Sequence, residues 1–93
     1  MVYEWDPLRA KANLRKHKVS FEEAATVFLD PLAITFSDPD HSDEEDREIT
    51  IGLTTKRRVA FVAHCRRGDR TRIIGARRAT RKERKQYEEG TYE

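Results

Sequence analysis

The stretch VAFVAHCRRGDRTRIIGAR, residues 59–77, decides the fold. Its first part, VAFVAHC (59–65), is apolar at most positions, which is typical of a strand that is buried on both faces and is central in its sheet. Arg67-Gly68-Asp69 has the composition of a hairpin turn. TRIIGAR (71–77) therefore predicts a last strand that pairs with the central one.

Three further strands are predicted upstream of this hairpin. They are VYEW (2–5), LAITF (32–36) and EITIGL (48–53). In the third, Ile49, Ile51 and Leu53 alternate with polar residues or glycine, so they face one side of the sheet. The segment between the last two, SDPDHSDEED (37–46), is read as an exposed loop.

Three helices complete the pattern. Asp6-Pro7 predicts an N-cap followed by the first residue of a helix over 7–17. A capping box at Ser20–Glu23 opens a second helix over 21–29, which Asp30-Pro31 ends. A helix over 80–90 has few apolar residues besides Tyr87, which predicts a weakly anchored surface for a partner.

Together these elements predict an α+β fold over 1–93, taken as a single domain. The two N-terminal helices are expected to pack on one face of an antiparallel sheet, against Ile49, Ile51 and Leu53. The chain ends in a C-terminal helix. One cysteine, Cys65, allows no intrachain disulfide. No apolar run has the length of a membrane span and no signal core is present, which favours a cytoplasmic protein.

Charge is segregated along the chain. Residues 38–48 hold seven acids and one arginine, whereas residues 66–85 hold ten basic residues and two acids. A solvated charged face is the usual explanation of a charge run. The strong local excess of one sign instead favours a nucleic acid or an acidic protein as partner, because like charges repel unless an anion lies among them.

The residue types suit RNA cleavage without a metal. A base must take the proton of the 2′-OH, and cations must stabilise the charge that develops on the phosphate. His64 at the end of the central strand is a candidate acid or base, although a hydrogen-bonded strand residue is the common alternative. Arg77 and Arg47 are candidate phosphate cations, and Arg72 and Arg78 lie on the alternation opposite to Arg77 unless a bulge at Gly75 resets it.

The acidic loop is tempting as a metal site, because carboxylates recur at alternate positions. It lacks the glycine and the final glutamate of a calcium-binding loop, and no zinc spacing occurs. We therefore expect no metal and no cofactor.

Three runs resemble the BrnT family of bacterial toxins: EWDPLRAKANLRKHKVSFEEAATVF (4–28), PDHSDEEDREITIG (39–52) and RIIGARRATRKERKQYEEG (72–90). The resemblance implies a RelE-like fold, ribonuclease activity and a BrnA-type antitoxin. The pair Lys16-His17 matches the family motif, which adds His17 to the candidates; the common alternative is a core histidine or one that stabilises the C-terminal end of the helix. Lys18 stands where the family usually has Gly, and Gly75 stands where it usually has Ser, so a hydroxyl beside Arg77 is missing.

The sequence thus predicts an endoribonuclease toxin that binds RNA and an antitoxin, and that reaches operator DNA only through the antitoxin complex. The candidate catalytic residues are His17, Arg47, His64 and Arg77. The candidate RNA-binding residues are Lys16, Arg66, Arg70, Arg72, Arg78, Arg81 and Arg84. The alternative is a non-enzymatic module that binds nucleic acid or a partner and acts as a corepressor in a complex.

Overall fold

A computed structural model describes residues 1–40 and 46–90. It confirms a mixed α+β fold with a five-stranded sheet. In chain order the elements are β1 (Val2–Glu4), α1 (Pro7–His17), α2 (Phe21–Ala25), a 3₁₀ turn (Thr26–Leu29), β2 (Ile34–Ser37), β3 (Arg47–Leu53), β4 (Val59–Arg67), β5 (Arg70–Arg78) and α3 (Arg81–Glu89). No helix among these described residues is long and apolar enough to cross a membrane.

The sheet is mixed, so the expectation of a wholly antiparallel sheet is wrong. The strand order is β1-β5-β4-β3-β2, with β4 in the centre as predicted. β2 to β5 pair antiparallel, but β1 pairs parallel with β5. The reason is the connection: the chain leaves β1 through α1 and α2, and elements that cross over a sheet face allow a parallel neighbour.

The second helix is shorter than predicted, because its last turn tightens. α2 ends at Ala25, and residues 26–29 form the 3₁₀ turn. The Thr26 hydroxyl donates to the Glu23 carbonyl at 2.6 Å, and this carbonyl is the one that would accept the next backbone bond of a regular α-helix. Short 3₁₀ segments of this kind are common at helix ends.

α1, α2 and the 3₁₀ turn cover one face of the sheet, called here the helix face. Its core joins Phe21, Ala24 and Val27 to Val62 and Ile73. Each of these side chains is buried, with exposures between 0% and 1%. Burial of apolar area on this one face is the main stabilising contribution to the fold.

The prediction that Ile49, Ile51 and Leu53 contact the N-terminal helices is wrong. Gly52, on the other alternation of β3, faces them instead: a Cβ at Gly52 would lie 2.9 Å from the Ala33 Cβ and 3.1 Å from the Val27 Cβ. The 3₁₀ turn therefore packs directly on β3 where no side chain intervenes. Ile49 and Ile51 lie on the opposite face, beneath α3.

α3 is anchored by polar contacts, contrary to the weak anchoring expected from its composition. Arg77 donates two hydrogen bonds to Glu83, at 2.8 and 2.9 Å. The Tyr87 hydroxyl donates to Asp30 at 2.6 Å. Burial, together with that bond to the carboxylate, raises the pKa of Tyr87 to about 12, so the hydroxyl keeps its proton. The sequence pattern showed few apolar contacts but could not show these pairs.

A buried carboxylate ties α2 to the β3–β4 turn. The Glu23 side chain is 3% exposed and pairs with the Arg58 guanidinium. It also accepts a bond from Thr54 Oγ1 at 2.8 Å, while Arg58 donates to the Lys18 carbonyl at 3.1 Å. The bonds from Arg58 outweigh desolvation and hold the pKa of Glu23 below its ordinary value.

We expect Glu23→Gln to lower the free energy of unfolding at pH 7 by about 3 kcal/mol, because it leaves a partly buried guanidinium without its counter-charge. A carboxyl whose pKa is depressed by folding stabilises the protein above its unfolded pKa, and this stabilisation is lost as pH falls through the folded pKa. The difference between wild type and variant should therefore shrink below pH 4.5. Urea unfolding across pH measures it, with the exposed neighbour Glu22→Gln as the matched control; equal behaviour of the two variants would refute the assignment.

Lys18 occupies a left-handed backbone conformation at the end of α1, with φ of 62°, and its N–H donates to the Leu14 carbonyl at 2.9 Å. Glycine adopts this conformation without the Cβ clash that a lysine meets. The family's glycine at this position therefore has a physical reason.

We predict that Lys18→Gly raises the free energy of unfolding by about 1 kcal/mol, since the strained Cβ is removed and the bond from Arg58 to the Lys18 carbonyl remains. The matched control is Lys16→Gly inside α1, which should lower stability by about 1 kcal/mol. Thermal or urea unfolding separates the two; destabilisation by both variants contradicts the cap explanation.

Candidate functional site

A register shift in β5 determines where its arginines lie. Ala63 of β4 pairs with Gly75, but His64 pairs with Ile73, so Ile74 is an extra residue in the ladder. An extra residue reverses the alternation beyond it. Ile73 consequently faces the helices. Arg72 lies on the same face as Arg77, as predicted for the case in which a bulge resets the alternation.

Five arginines share the sheet face opposite the helix face. Cross-strand partners lie on the same face, and Arg47 and Arg72 both pair with Cys65, while Arg77 pairs with Phe61. This face, called here the arginine face, carries Arg47, Arg67, Arg70, Arg72 and Arg77. Two predicted catalytic residues, Arg47 and Arg77, are therefore brought to one surface.

Part of the arginine face closes into a small cavity of about 140 Å³, the arginine pocket. Arg47, Arg67 and Arg72 line it from the sheet, and Arg9 lines it from α1, with Asp6 at its edge. Neighbouring strands lie about 4.8 Å apart, so the Cα atoms of Arg47 and Arg72, on either side of Cys65, are separated by roughly 10 Å. A cavity lined by four arginines suits a phosphate, which accepts paired hydrogen bonds from arginine.

Sequence reasoning missed Arg9 and Arg67 as members of this pocket. Arg67 was read as part of the hairpin turn, but β4 extends to Arg67 and places it on the face of Cys65. Arg9 is in the first turn of α1, and only the packing of that helix beside β5 brings it near. The unbroken alternation of β4 could have indicated Arg67; no sequence signal indicated Arg9.

Carboxylates orient the arginines of β5. Glu4 of β1 accepts from Arg72 at 2.8 Å and lies 3.7 Å from Arg70. Glu83 of α3 holds Arg77, whose guanidinium carbon also lies 3.9 Å from the centre of the Phe61 ring. Burial raises the pKa of Glu83, but the bonds from Arg77 and the Thr80 backbone outweigh it, so the pKa lies below its ordinary value and Glu83 is ionised.

His64 lies on the helix face, away from the arginine pocket. It is 5% exposed, its Nε2 atom lies 2.7 Å from Thr50 Oγ1, and its ring meets Phe28 edge-on at 4.9 Å. Thr50 continues the chain to Thr35 Oγ1 at 2.7 Å. Burial lowers the pKa of His64 to about 4, so the imidazole is neutral near pH 7. Glu48 and Arg66 line the cavity beside it.

His17 is half-buried at the C-terminal end of α1. Within residues 1–40 and 46–90, both histidines thus lie on the side of the sheet that bears α1 and α2, and both predicted catalytic arginines lie on the other. The structure does not assemble the four predicted catalytic residues into one constellation. Their catalytic roles remain predictions.

The predicted RNA-binding residues are also distributed over two sides. Arg70 and Arg72 are on the arginine face, whereas Arg66 and Arg78 pair with Thr71 and Ala60 on the alternation of the helix face. Exposed cations on helices complete the set: Lys16 on α1, and Arg81 and Arg84 on α3.

No group of three or more metal-ligating side chains occurs in the part of the chain that the structure describes. The acidic loop considered as a calcium site lies partly outside it, because residues 41–45 are not among the described residues.

Comparisons with known proteins agree with the family resemblance. The sequence model of a family described as "Ribonuclease toxin, BrnT, of type II toxin-antitoxin system" matches residues 5–83. The fold is similar to the crystal structure of the Brucella abortus ribonuclease toxin BrnT, with a TM-score of 0.68 and 20% identity over 87% of this chain and 100% of that one. No curated protein matches the chain at a significant level.

The buried setting of His64 predicts its titration. We expect its ring to protonate near pH 4 in two-dimensional NMR spectra that report imidazole nitrogens, with His64→Gln used to assign the signal. A histidine whose pKa is lowered by folding destabilises the fold as pH falls from its unfolded pKa of about 6.5 towards the folded one. Titration near pH 6.5 would mean that His64 is solvated rather than buried.

Proposed function

The chain belongs to the BrnT family of ribonuclease toxins of type II toxin–antitoxin systems, and on that premise we propose that it is a metal-independent endoribonuclease that cleaves RNA on its arginine face. A type II toxin has an antitoxin partner. The observation that carries the proposal is the register of β3, β4 and β5, which gathers five arginines on one surface.

The chemistry requires charge stabilisation at the phosphate. Attack of a 2′-OH on the adjacent phosphorus forms a phosphorane-like state with extra negative charge on its oxygens, and the 5′ oxygen then leaves. Arg47, Arg67 and Arg72 line a cavity large enough for a phosphate group. Donors that are oriented before the reaction stabilise such a state without further reorganisation. The paired contacts of Glu4 with Arg72 and of Glu83 with Arg77 provide that orientation.

Proton transfer was assigned from the sequence to His17 and His64. Both lie on the helix-bearing side of the sheet, opposite the arginine face, so this proposal assigns only charge stabilisation to the arginine face. The acid and base roles of His17 and His64 stay predictions that substitution must test.

RNA affinity has a different origin from catalysis in this proposal. Arg81 and Arg84 are exposed on the outer side of α3, where they can contact phosphates along the strand. We propose a BrnA-type antitoxin as the partner, operator DNA as a ligand of the complex only, and a cytoplasmic location.

We expect purified protein to cleave RNA in the presence of EDTA. Arg47→Ala and Arg72→Ala should each lower the single-turnover rate by roughly 100-fold, the scale of losing one charge-stabilising donor. Arg81→Ala, the matched surface control, should weaken affinity and its salt dependence more than the rate. A requirement for magnesium contradicts the mechanism, and the absence of cleavage under any condition favours the non-enzymatic binding module.

Arg77 needs a separate test, because it also anchors α3. Arg77→Ala should lower single-turnover cleavage by about 100-fold if the guanidinium stabilises the transition state, and Arg77→Lys should restore only part of the rate. Glu83→Gln keeps the arginine and removes only the carboxylate that orients it, so its rate should fall by much less than that of Arg77→Ala. Equal losses in Arg77→Ala and Glu83→Gln would assign Arg77 to anchoring the helix rather than to catalysis; circular dichroism checks folding.

A further inference from the structure

A groove runs between α3 and the sheet on the arginine face. Its volume is about 270 Å³, just under the range of about 300–1,000 Å³ that holds drug-sized ligands. Ile49 and Ile51 form its apolar floor, and Phe36 and Phe61 are the aromatic residues beside it. This space, called here the α3 groove, has the size and lining of a site for one flat ring.

The rim of the α3 groove is polar and asymmetric. Asp40 is exposed at the end that follows β2, and Gln86 and Lys82 lie on α3. The Asp38 carboxylate accepts a bond from the Asp40 backbone N–H at 3.1 Å, which fixes the turn that carries both acids. Carboxylates repel a phosphate, but they accept hydrogen bonds from amino groups. The acidic end therefore excludes the RNA backbone and accommodates a donor.

The groove is formed before any ligand binds. Arg77 with Glu83 fixes the start of α3, and Tyr87 with Asp30 fixes its end. These two contacts fix the position of α3 over Ile49 and Ile51. Proteins bind the unstacked bases of single-stranded RNA on aromatic side chains beside a cationic surface, and the α3 groove lies on the same face of the sheet as the arginines.

We infer that the α3 groove is the specificity pocket for one nucleobase next to the cleaved phosphate, and that it prefers adenine and cytosine over guanine and uracil. This inference rests on the proposed ribonuclease function. Adenine and cytosine each offer an exocyclic amino donor to Asp40, whereas guanine and uracil present carbonyl acceptors at the corresponding edge. Phe36 supplies the stacking contact, and the arginine pocket takes the phosphate.

The test uses DNA oligonucleotides that carry a single ribonucleotide, so that only one bond can be cleaved. The bases on each side of that bond are varied one at a time among A, C, G and U. Single-turnover rates are measured for wild type, Asp40→Asn, Phe36→Ala and the control Glu88→Gln, which loses one exposed acid on the outer side of α3.

Wild type should cleave the guanine and uracil substrates about tenfold more slowly than the adenine and cytosine substrates at one of the two positions. Asp40→Asn should reduce that difference in rate to less than about threefold. Phe36→Ala should lower the single-turnover cleavage rate about tenfold for all four bases. Glu88→Gln should keep the wild-type profile. Phe36→Leu replaces Phe36→Ala if thermal unfolding shows that the latter is not folded.

The outcomes separate this inference from the proposed function. If wild type cleaves and Arg47→Ala or Arg72→Ala does not, but Asp40→Asn and Phe36→Ala keep the wild-type base profile, the groove has another occupant and only this inference is overturned. If wild type cleaves none of the substrates, the proposed function fails and this inference fails with it.

Discussion

The extra residue Ile74 in β5 is the constraint on which the rest of the structure depends. Ile73 completes the core beneath the helices, and Arg72 and Arg77 both lie on the opposite face. In a strand with strict alternation, residues 73 and 77 would lie on one face and residue 72 on the other, so Arg72 and Arg77 could not both lie opposite Ile73. The bulge lets one strand contribute to an apolar core and to a cationic surface along the same nine residues.

Much of the fold could be predicted, since the features that define it are local. The caps at Asp6, Ser20 and Thr80 start the helices where expected, and each side chain accepts from a backbone N–H of its first turn. The capping box predicted at Ser20–Glu23 forms only by half, because the Glu23 carboxylate bonds Arg58 and Thr54 instead. What could not be predicted depends on contacts distant in sequence. The parallel pairing of β1 and the side of the sheet that α1 and α2 cover required three-dimensional packing, because β3 is apolar enough on one alternation to suggest the wrong face.

The candidate site shows the same limit. Arg47 and Arg77 were recognisable from strand position and composition, but their shared face depends on a register that no pattern in the sequence specifies. Arg9 joins Arg47 only because α1 packs beside β5. His64 illustrates the opposite case: its position at a strand end suggested a reactive group, whereas Thr50 and Phe28 surround it as they would a buried structural side chain.

The arginine face holds five arginines close together, and carboxylates orient the guanidinium groups of those on β5. Glu4 and Glu83 come from the elements that flank β5 and lie against its guanidinium groups. Each carboxylate reduces the repulsion between neighbouring cations while fixing the direction in which their N–H groups point. The face therefore remains folded without an anion and still presents oriented donors to one. In the proposed mechanism the carboxylates orient these cations before RNA binds, so a phosphate would not have to reorganise them, and such preorganisation is the general basis of electrostatic catalysis.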